Sequence, residues 1–383
     1  MSRKILIATG DVGPNRENPD EIFDGVRSSL AQADLVFGQL EPCIAHTGTP
    51  AAQCRLPMRC KPESAGAIRR AGYDVISFAT NHCMDWGRPA FFETLELLKA
   101  QGIKTIGAGK DIFEARQPAI FELDGTRIGF LGYNSILPQD YWANEERPGC
   151  APLRGITAAV PKEHDQPETP VRLFSWPHPD DLDAMISDIE TLRPKVDILI
   201  VSFHWGIHFV PAVLAQYQRY AAHFAIDAGA DLILGHHTHI LKPIEVYHGK
   251  AIIYSMANFA LEEPGRFFEG KGDLTDSKSH QDIAALNPDM KKSKRQMPVD
   301  SYKTLFIKCI LEDKRIQTIS FVPVQLDEGA NPHTLTADDP RFPEILNYMR
   351  AITADQNLKT IYIPQGDEVL IAGAYSTPTP TLT

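Results

Sequence analysis

No apolar run in this chain reaches the roughly 18 residues that a bilayer-spanning helix requires. The N-terminal Met-Ser-Arg-Lys-Ile-Leu-Ile-Ala-Thr-Gly-Asp enters a polar loop before its apolar part is long enough for a signal-peptide core. Cysteine is sparse: the six residues at 43, 54, 60, 83, 150 and 309 form no Cys-x-x-Cys pair, which predicts reduced thiols rather than a disulfide framework. Positive charge is in deficit, 38 Lys+Arg against 49 Asp+Glu, a formal charge of −11. With no basic stripe interleaved with aromatics, nucleic-acid binding is not expected. These absences predict a cytoplasmic, soluble protein with no membrane segment. What is present, 383 residues of which 43% are hydrophobic, suffices for the core of one large or two ordinary domains.

Strands and helices alternate over the first 260 residues. Apolar strands are predicted at Ile5–Thr9, Leu35–Leu40, Val75–Thr80, Ile198–Phe203 and Leu232–Leu234, with helices at Pro19–Ala33, Glu63–Ala71, Pro89–Gln101, Asp180–Leu192 and Val213–Ala228. Continuous apolar strands separated by amphipathic helices imply an α/β fold whose sheet is covered on both faces. Hairpins are predicted at Asp124-Gly125 and His248-Gly249, each flanked by apolar runs, which favours a mixed sheet or two packed sheets. Tyr302–Leu311 and Arg315–Val324 read as a last strand pair. Residues 134–178 and 262–300, rich in charge and weakly periodic, are predicted as long loops, the second holding the lysine-rich Lys291–Arg295. The expected organisation is a single domain over 1–330, a C-terminal extension over 331–375 and a flexible tail over 376–383.

Chemistry collects where the strands end. Asp231-Leu-Ile-Leu234 runs into Gly235-His236-His237-Thr238-His239, and His-x-His on an extended segment presents two imidazoles on one face. Asp11 closes the first strand, Glu41 the second, Asn81-His82 the third and His204 the fourth. In open α/β sheets ligands bind at the carboxyl edge of the strands. A lone Asp after a strand is ordinarily a helix cap, and a lone His is ordinarily structural. Five strand ends of one kind are harder to assign that way. A mixed Asp/Glu/Asn/His set suits Mn²⁺, Fe²⁺ or Zn²⁺.

These blocks carry a resemblance. Gly10-Asp11, Ala33-Asp34-Leu35…Leu40-Glu41, Asn81-His82-Cys-Met-Asp85-Trp-Gly87, His204-Trp-Gly206, Gly235-His-His-Thr-His239 and Tyr254-Ser-Met-Ala-Asn258-Phe259 occur in the order of the capsule-synthesis CapA (poly-γ-glutamate biosynthesis) family, within the calcineurin-like metallophosphoesterase superfamily. The chain resembles that family from about Ile5 to Phe259. The resemblance implies a four-layer α/β/β/α sandwich with one or two divalent ions at the sheet edges. Carried over position by position, Asp11 and His239 would bind the first ion, Glu41 would bridge, and Asn81, His204 and His237 would bind the second. His82 would be the acid or base, oriented by Asp85.

Two positions depart from the pattern. The superfamily's Asp-x-His has Gly13 at its third position, so the first ion would lose a ligand. His208 stands where an acidic residue usually follows His-Trp-Gly, and reads either as a changed ligand or charge preference or as a surface histidine. His236 reads either as a support to the centre or as packing. Cys43 and Cys83 read as small packing residues, while Trp86 and Trp205 read equally as pocket walls or core. The expected activity is metal-dependent hydrolysis of an amide, ester or phosphoester in a small-molecule or peptide-like substrate. A metal-dependent epimerase or isomerase, and a non-catalytic subunit of capsule synthesis, are the alternatives.

Overall fold

The structure, a computed structural model, describes residues 3–54, 56–267, 285–287 and 297–375. Most of the loop expected at 262–300, Lys291–Arg295 included, and the tail at 376–383 lie outside the described residues. Two β-sheets carry the fold. The ten-stranded sheet runs Ile361–Gln365, Glu368–Ala372, Arg315–Leu326, Lys303–Glu312, Lys4–Gly13, Leu35–Leu40, Val75–Ser77, Lys104–Ile106. Asn258–Leu261 joins the end of Lys4–Gly13, and Pro332–Thr334 joins Arg315–Leu326. The six-stranded sheet runs Ile244–Tyr247, Lys250–Ile253, Leu232–His236, Ile198–His204, Thr126–Asn134, Ala119–Leu123. The larger sheet is antiparallel from Ile361–Gln365 to Lys4–Gly13 and parallel from there to Lys104–Ile106, and the smaller has a parallel centre with antiparallel flanks, so the fold is mixed α/β.

The two-residue period of the strands sorts their side chains into separate cores. Leu6, Ala8, Leu35 and Phe37 of the larger sheet share one buried cluster with Ile128, Phe130, Ile200 and Leu234 of the smaller. Phe37 and Phe130 stack there, with ring centroids 5.9 Å apart and planes 5° from parallel. The intervening Ile7, Val36 and Leu40 pack with Ile68 and Phe91 from the helices Glu63–Arg70 and Gly87–Ala100. Leu199, Val201 and Ile233 pack with Met185 and Ala221 from the helices Pro179–Leu192 and Gln216–Asp227. Each central strand buries apolar side chains on both faces, which is why it reads as an unbroken apolar run.

Both predicted hairpins form. Asp124 and Gly125 (φ 47° and 79°) and His248 and Gly249 (φ 48° and 73°) take left-handed conformations, the geometry that matches strand twist in a two-residue turn. The helix expected over Pro19–Ala33 is instead a 3-10 turn at Pro19–Phe23 and one α turn at Arg27–Leu30. Between them a Cβ on Gly25 would lie 2.4 Å from the Pro332 carbonyl oxygen, so the backbone bends to meet that segment. Residues 134–178 are not all loop: Gly155–Pro161 and Val171–Pro177 form an antiparallel ribbon. Its strands are mostly exposed, with only Ile156, Ala158, Ser175 and Pro177 more than lightly covered, so they carry little of the apolar alternation that would have revealed them. Residues 331–375 supply three strands of the larger sheet and the helix Arg341–Asp355, whose Ile345 and Met349 enter the core between the sheets.

The Phe37–Phe130 stack lies in that shared core, and both rings are fully buried. Phe130→Ala should lower unfolding free energy by about 3–5 kcal/mol. Urea denaturation at an unchanged m-value checks this.

Candidate metal centre

Strand ends from both sheets converge on one buried point. Asp11 lies where the pairing of Lys4–Gly13 with Leu35–Leu40 shifts register, directly opposite Asn258. His204 and His236 are register partners on adjacent parallel strands of the other sheet. Close backbone approach brings these segments together. A Cβ at Gly10 would lie 2.0 Å from the Ala257 carbonyl oxygen, and one at Gly235 would lie 2.2 Å from that of Tyr254. Past the strand ends His237 (φ 90°), His239 (φ 56°) and Ala257 (φ 62°) adopt left-handed backbone. For non-glycine residues this costs on the order of 1–3 kcal/mol each, and such strain concentrates at functional sites.

All six residues that the resemblance implied as ligands lie together. Glu41, His204 and His237 each offer a ligand atom, all within 4.8 Å of one another. Asn81 Oδ1 is 2.7 Å from His204 Nε2 and 3.1 Å from His237 Nδ1, and those two nitrogens are 3.1 Å apart. Glu41 Oε2 lies 3.6 Å from His204 Nε2, and its Oε1 lies 3.8 Å from His239 Nε2. Asp11 Oδ2 is 3.6 Å from His239 Nδ1, which also meets Asn258 Oδ1 at 2.7 Å. Asp11 Oδ2, Glu41 Oε1, His204 Nδ1 and His236 Nε2 are buried without a hydrogen-bond partner. Buried polar atoms are ordinarily paired, so the two orphaned carboxylate oxygens suit a cation, whereas His204 and His236 turn their other ring nitrogens, Nε2 and Nδ1, toward the centre.

The electrostatics agree. Burial, then the neighbouring Asp11 carboxylate, push the Glu41 carboxyl up from its ordinary value, against the smaller opposing effects of His82 and the Thr80 hydroxyl. Burial and the surrounding imidazoles hold His204 and His237 well below the usual histidine range. Both rings are therefore neutral near pH 7, the state in which imidazole binds metals. His82 goes the other way. Burial would lower it, but the carboxylates of Asp85, Glu41 and Asp11 outweigh that and hold it up at about 9.

His82 and Asp85 form a short contact, Nδ1 to Oδ2 at 2.5 Å. The Asp85 carboxylate also accepts from the Met58 N–H (2.9 Å) and the Tyr141 hydroxyl (3.1 Å). With Nδ1 engaged, His82 Nε2 lies 3.7 Å from Glu41 Oε1, at the rim of the centre. Asn258 stood in a recognised block, and the chemistry of its amide was the signal that could have singled it out. Tyr141 lies within the aperiodic 134–178 stretch, where nothing marked it.

The ambiguous positions now have places. A Cβ at Gly13 would lie 2.7 Å from both Leu261 Cδ1 and Pro42 Cδ, so the space for a side chain there is filled. His236 serves both roles, with Nδ1 3.2 Å from Asp11 Oδ1 and its ring against Phe37. Trp205 is core, stacked on Phe203, with Nε1 donating to the Tyr254 carbonyl. The Arg59 guanidinium lies over the Trp86 ring, 3.5 Å from its centroid. His208 stacks on His237 with ring centroids 3.8 Å apart and leaves its Nε2 buried and unpartnered. Its loop is held by the buried Lys242, whose Nζ donates to the carbonyls of Val210 and Val213.

Burial pushes the Lys242 amine down to about 7. Between that value and its ordinary 10.5, the unfolded chain holds a proton that the folded chain lacks. This residue's contribution to stability therefore rises with pH across the window, and the burial cost is fully felt below it. Lys242→Met should flatten the pH dependence of unfolding free energy between 7 and 10.5 by up to ~1.4 kcal/mol per pH unit. It should also speed proteolysis in 207–213, where two carbonyls lose their donor. Urea midpoints across that range and limited proteolysis check both.

Comparison with known proteins places this arrangement. The family described as "Bacterial capsule synthesis protein PGA_cap" matches residues 5–263. The chain is 27% identical over 250 residues to "PGA biosynthesis protein CapA" of Bacillus subtilis (strain 168), covering 65% of this chain and 58% of that protein. It is 26% identical over 253 residues to "Capsule biosynthesis protein CapA" of Bacillus anthracis, covering 65% and 56%. A "Probable polyglutamine synthesis accessory protein" of Mycobacterium tuberculosis (strain ATCC 25618 / H37Rv) is 31% identical over 225 residues, covering 58% and 54%. The chain thus spans a little over half the length of these curated relatives. Among the described residues no helix is long and apolar enough to cross a membrane. With the match covering every block that converges on the centre, the chain belongs to the bacterial capsule synthesis protein PGA_cap family.

Proposed function

We propose that this chain is a divalent-metal-dependent hydrolase of an amide, ester or phosphoester, acting in capsule or poly-γ-glutamate synthesis. The observation that carries it is the convergence of Glu41, His204 and His237 with Asn81, four neutral or acidic donors from four strand ends. In this reading Asn81, His204 and His237 hold one ion, Asp11 and His239 hold a second, and Glu41 stands between them. Two sheets sharing a core, each with helices on its outer face, support a four-layer calcineurin-like sandwich as the scaffold.

A Mn²⁺, Fe²⁺ or Zn²⁺ ion bound there would supply Lewis acidity toward a scissile carbonyl or phosphoryl oxygen. The chain's own groups do the rest. Asp85 fixes the His82 ring through Nδ1, itself held by Met58 and Tyr141, so that Nε2 is the atom that gives or takes a proton at the leaving group. Asn81 adds an oxygen donor without charge. Asn258 fixes the His239 ring by occupying its Nδ1, leaving Nε2 toward Glu41. The filled space beside Gly13 leaves the Asp11 side with fewer donors, so an ion there would be held more weakly than one at Asn81, His204 and His237.

A second reading, a non-catalytic accessory subunit, draws on the name of the mycobacterial relative. Metal content and turnover separate the two. Elemental analysis of the wild type should find about one to two equivalents of metal, lost in the Asn81→Ala/His237→Ala double variant. A screen of chromogenic phosphoesters, esters and γ-glutamyl amides should then find a substrate whose kcat falls about 10²–10⁴-fold in His82→Ala with metal content unchanged. Metal without turnover would favour the accessory reading, and no metal after reconstitution would overturn the hydrolase.

A further inference from the structure

Cys83 directly follows His82, and its Sγ lies 3.2 Å from Sγ of Cys150. Both residues are fully buried. Cys150 lies in the two-residue strand Gly149–Cys150, paired with Ala108–Gly109, and its backbone N–H donates to the Tyr141 carbonyl at 2.9 Å. Its Sγ sits 3.5 Å from the carbonyl oxygens of both Phe78 and Thr80, at the start of the segment that carries Asn81 and His82. The two sulfurs therefore face each other across the joint between that segment and the 134–178 excursion. Neither thiol has a part in the chemistry assigned to the centre.

We propose that Cys83 and Cys150 are a cross-linking site, closed to a disulfide by exchange with a small disulfide such as oxidised glutathione. Two S–H bonds are lost and one S–S bond forms between Cys83 and Cys150. The disulfide bond of the glutathione breaks, and the two protons and two electrons leave on its two thiols. The cross-link closes a loop of 67 residues and ties the segment from Thr80 to Trp86 to the Gly149–Cys150 strand. Buried thiols react slowly, so closure takes place while the chain folds or opens locally, not in the closed native state. Any effect on Asn81, His82 and Asp85 as a reactive group rests on the hydrolase reading. The cross-link itself does not.

The test uses the full chain, unfolded and refolded in a mixture of oxidised and reduced glutathione or in reductant alone, then alkylated and peptide-mapped. In the oxidised sample a single peptide pair joined through Cys83 and Cys150 is expected, with the other four of the six cysteines alkylated. The unfolding midpoint should rise relative to the reduced protein, and amide exchange should slow over residues 80–86. Neither shift should occur in Cys150→Ser or in Cys83→Ala, two variants that guard against one failing to fold. The same mapping on native protein held in oxidised glutathione with sub-denaturing urea covers a chain that refolds poorly, and the same linked pair is expected there. Alkylation of both Cys83 and Cys150 in protein that has regained its fold, or their recovery in other pairings, would overturn the proposal. Metal content is read on the reduced protein, so failure of the cross-link and failure of the metal reading remain distinct.

Discussion

Two carboxylates with no exposure to water, Asp11 and Glu41, lie where the ends of two sheets meet, and the rest of the centre is arranged around that fact. An isolated buried charge costs several kcal/mol after relaxation, and two of them repel as well. Among the described residues no Arg or Lys forms an ion pair with them; the ionisable groups beside them are the imidazoles of His82, His204, His236 and His239. Lowered basicity keeps His204 and His239 from supplying compensating charge. His82, raised by neighbouring carboxylates, carries a proton readily. A site of two acids and several neutral imidazoles could hold a cation and is a poor structural element in its own right.

Precision in such a cage comes from where its parts are mounted. Asp11, His204 and His236 stand on strands whose neighbours are hydrogen-bonded on both sides. The less regular pieces are tied down by polar contacts. Lys242 holds the loop beyond His204, Asn258 holds His239, and Asp85 gathers donors from Met58, Tyr141 and His82. These ties come from segments distant in sequence, so the catalytic candidate His82 is steadied by much of the chain at once. The left-handed conformations at His237, His239 and Ala257 are local costs that the surrounding sheets can sustain.

How much of this was legible depended on period and locality. The parallel strands and the His-x-His block were readable because burial on both faces leaves an apolar run, and because each run stops at a ligand-type residue. The convergence of Asp11 with His239 was not readable from spacing, since 228 positions of chain separate them; it came only through the family resemblance. The ribbon at Gly155–Pro161 and Val171–Pro177 escaped notice because it is only lightly covered, leaving little apolar alternation. Tyr141 and Lys242 escaped for a different reason. A single polar side chain acquires its role from partners that the fold brings to it, and nothing in its own neighbourhood announces them. The bend at Gly25 likewise answers to Pro332, more than three hundred residues away.

The contact around Gly13 has a consequence for how the centre is walled. Leu261 and Pro42 close over the position from two different segments, one paired to it across the sheet and the other next to Glu41. That side of Asp11 is therefore bounded by hydrocarbon, and a larger residue at 13 would press on Leu261 and on the Pro42 ring at once. Displacing the ring would drag the backbone that carries Glu41, so a change at a position with no polar group of its own would be felt at a carboxylate of the centre.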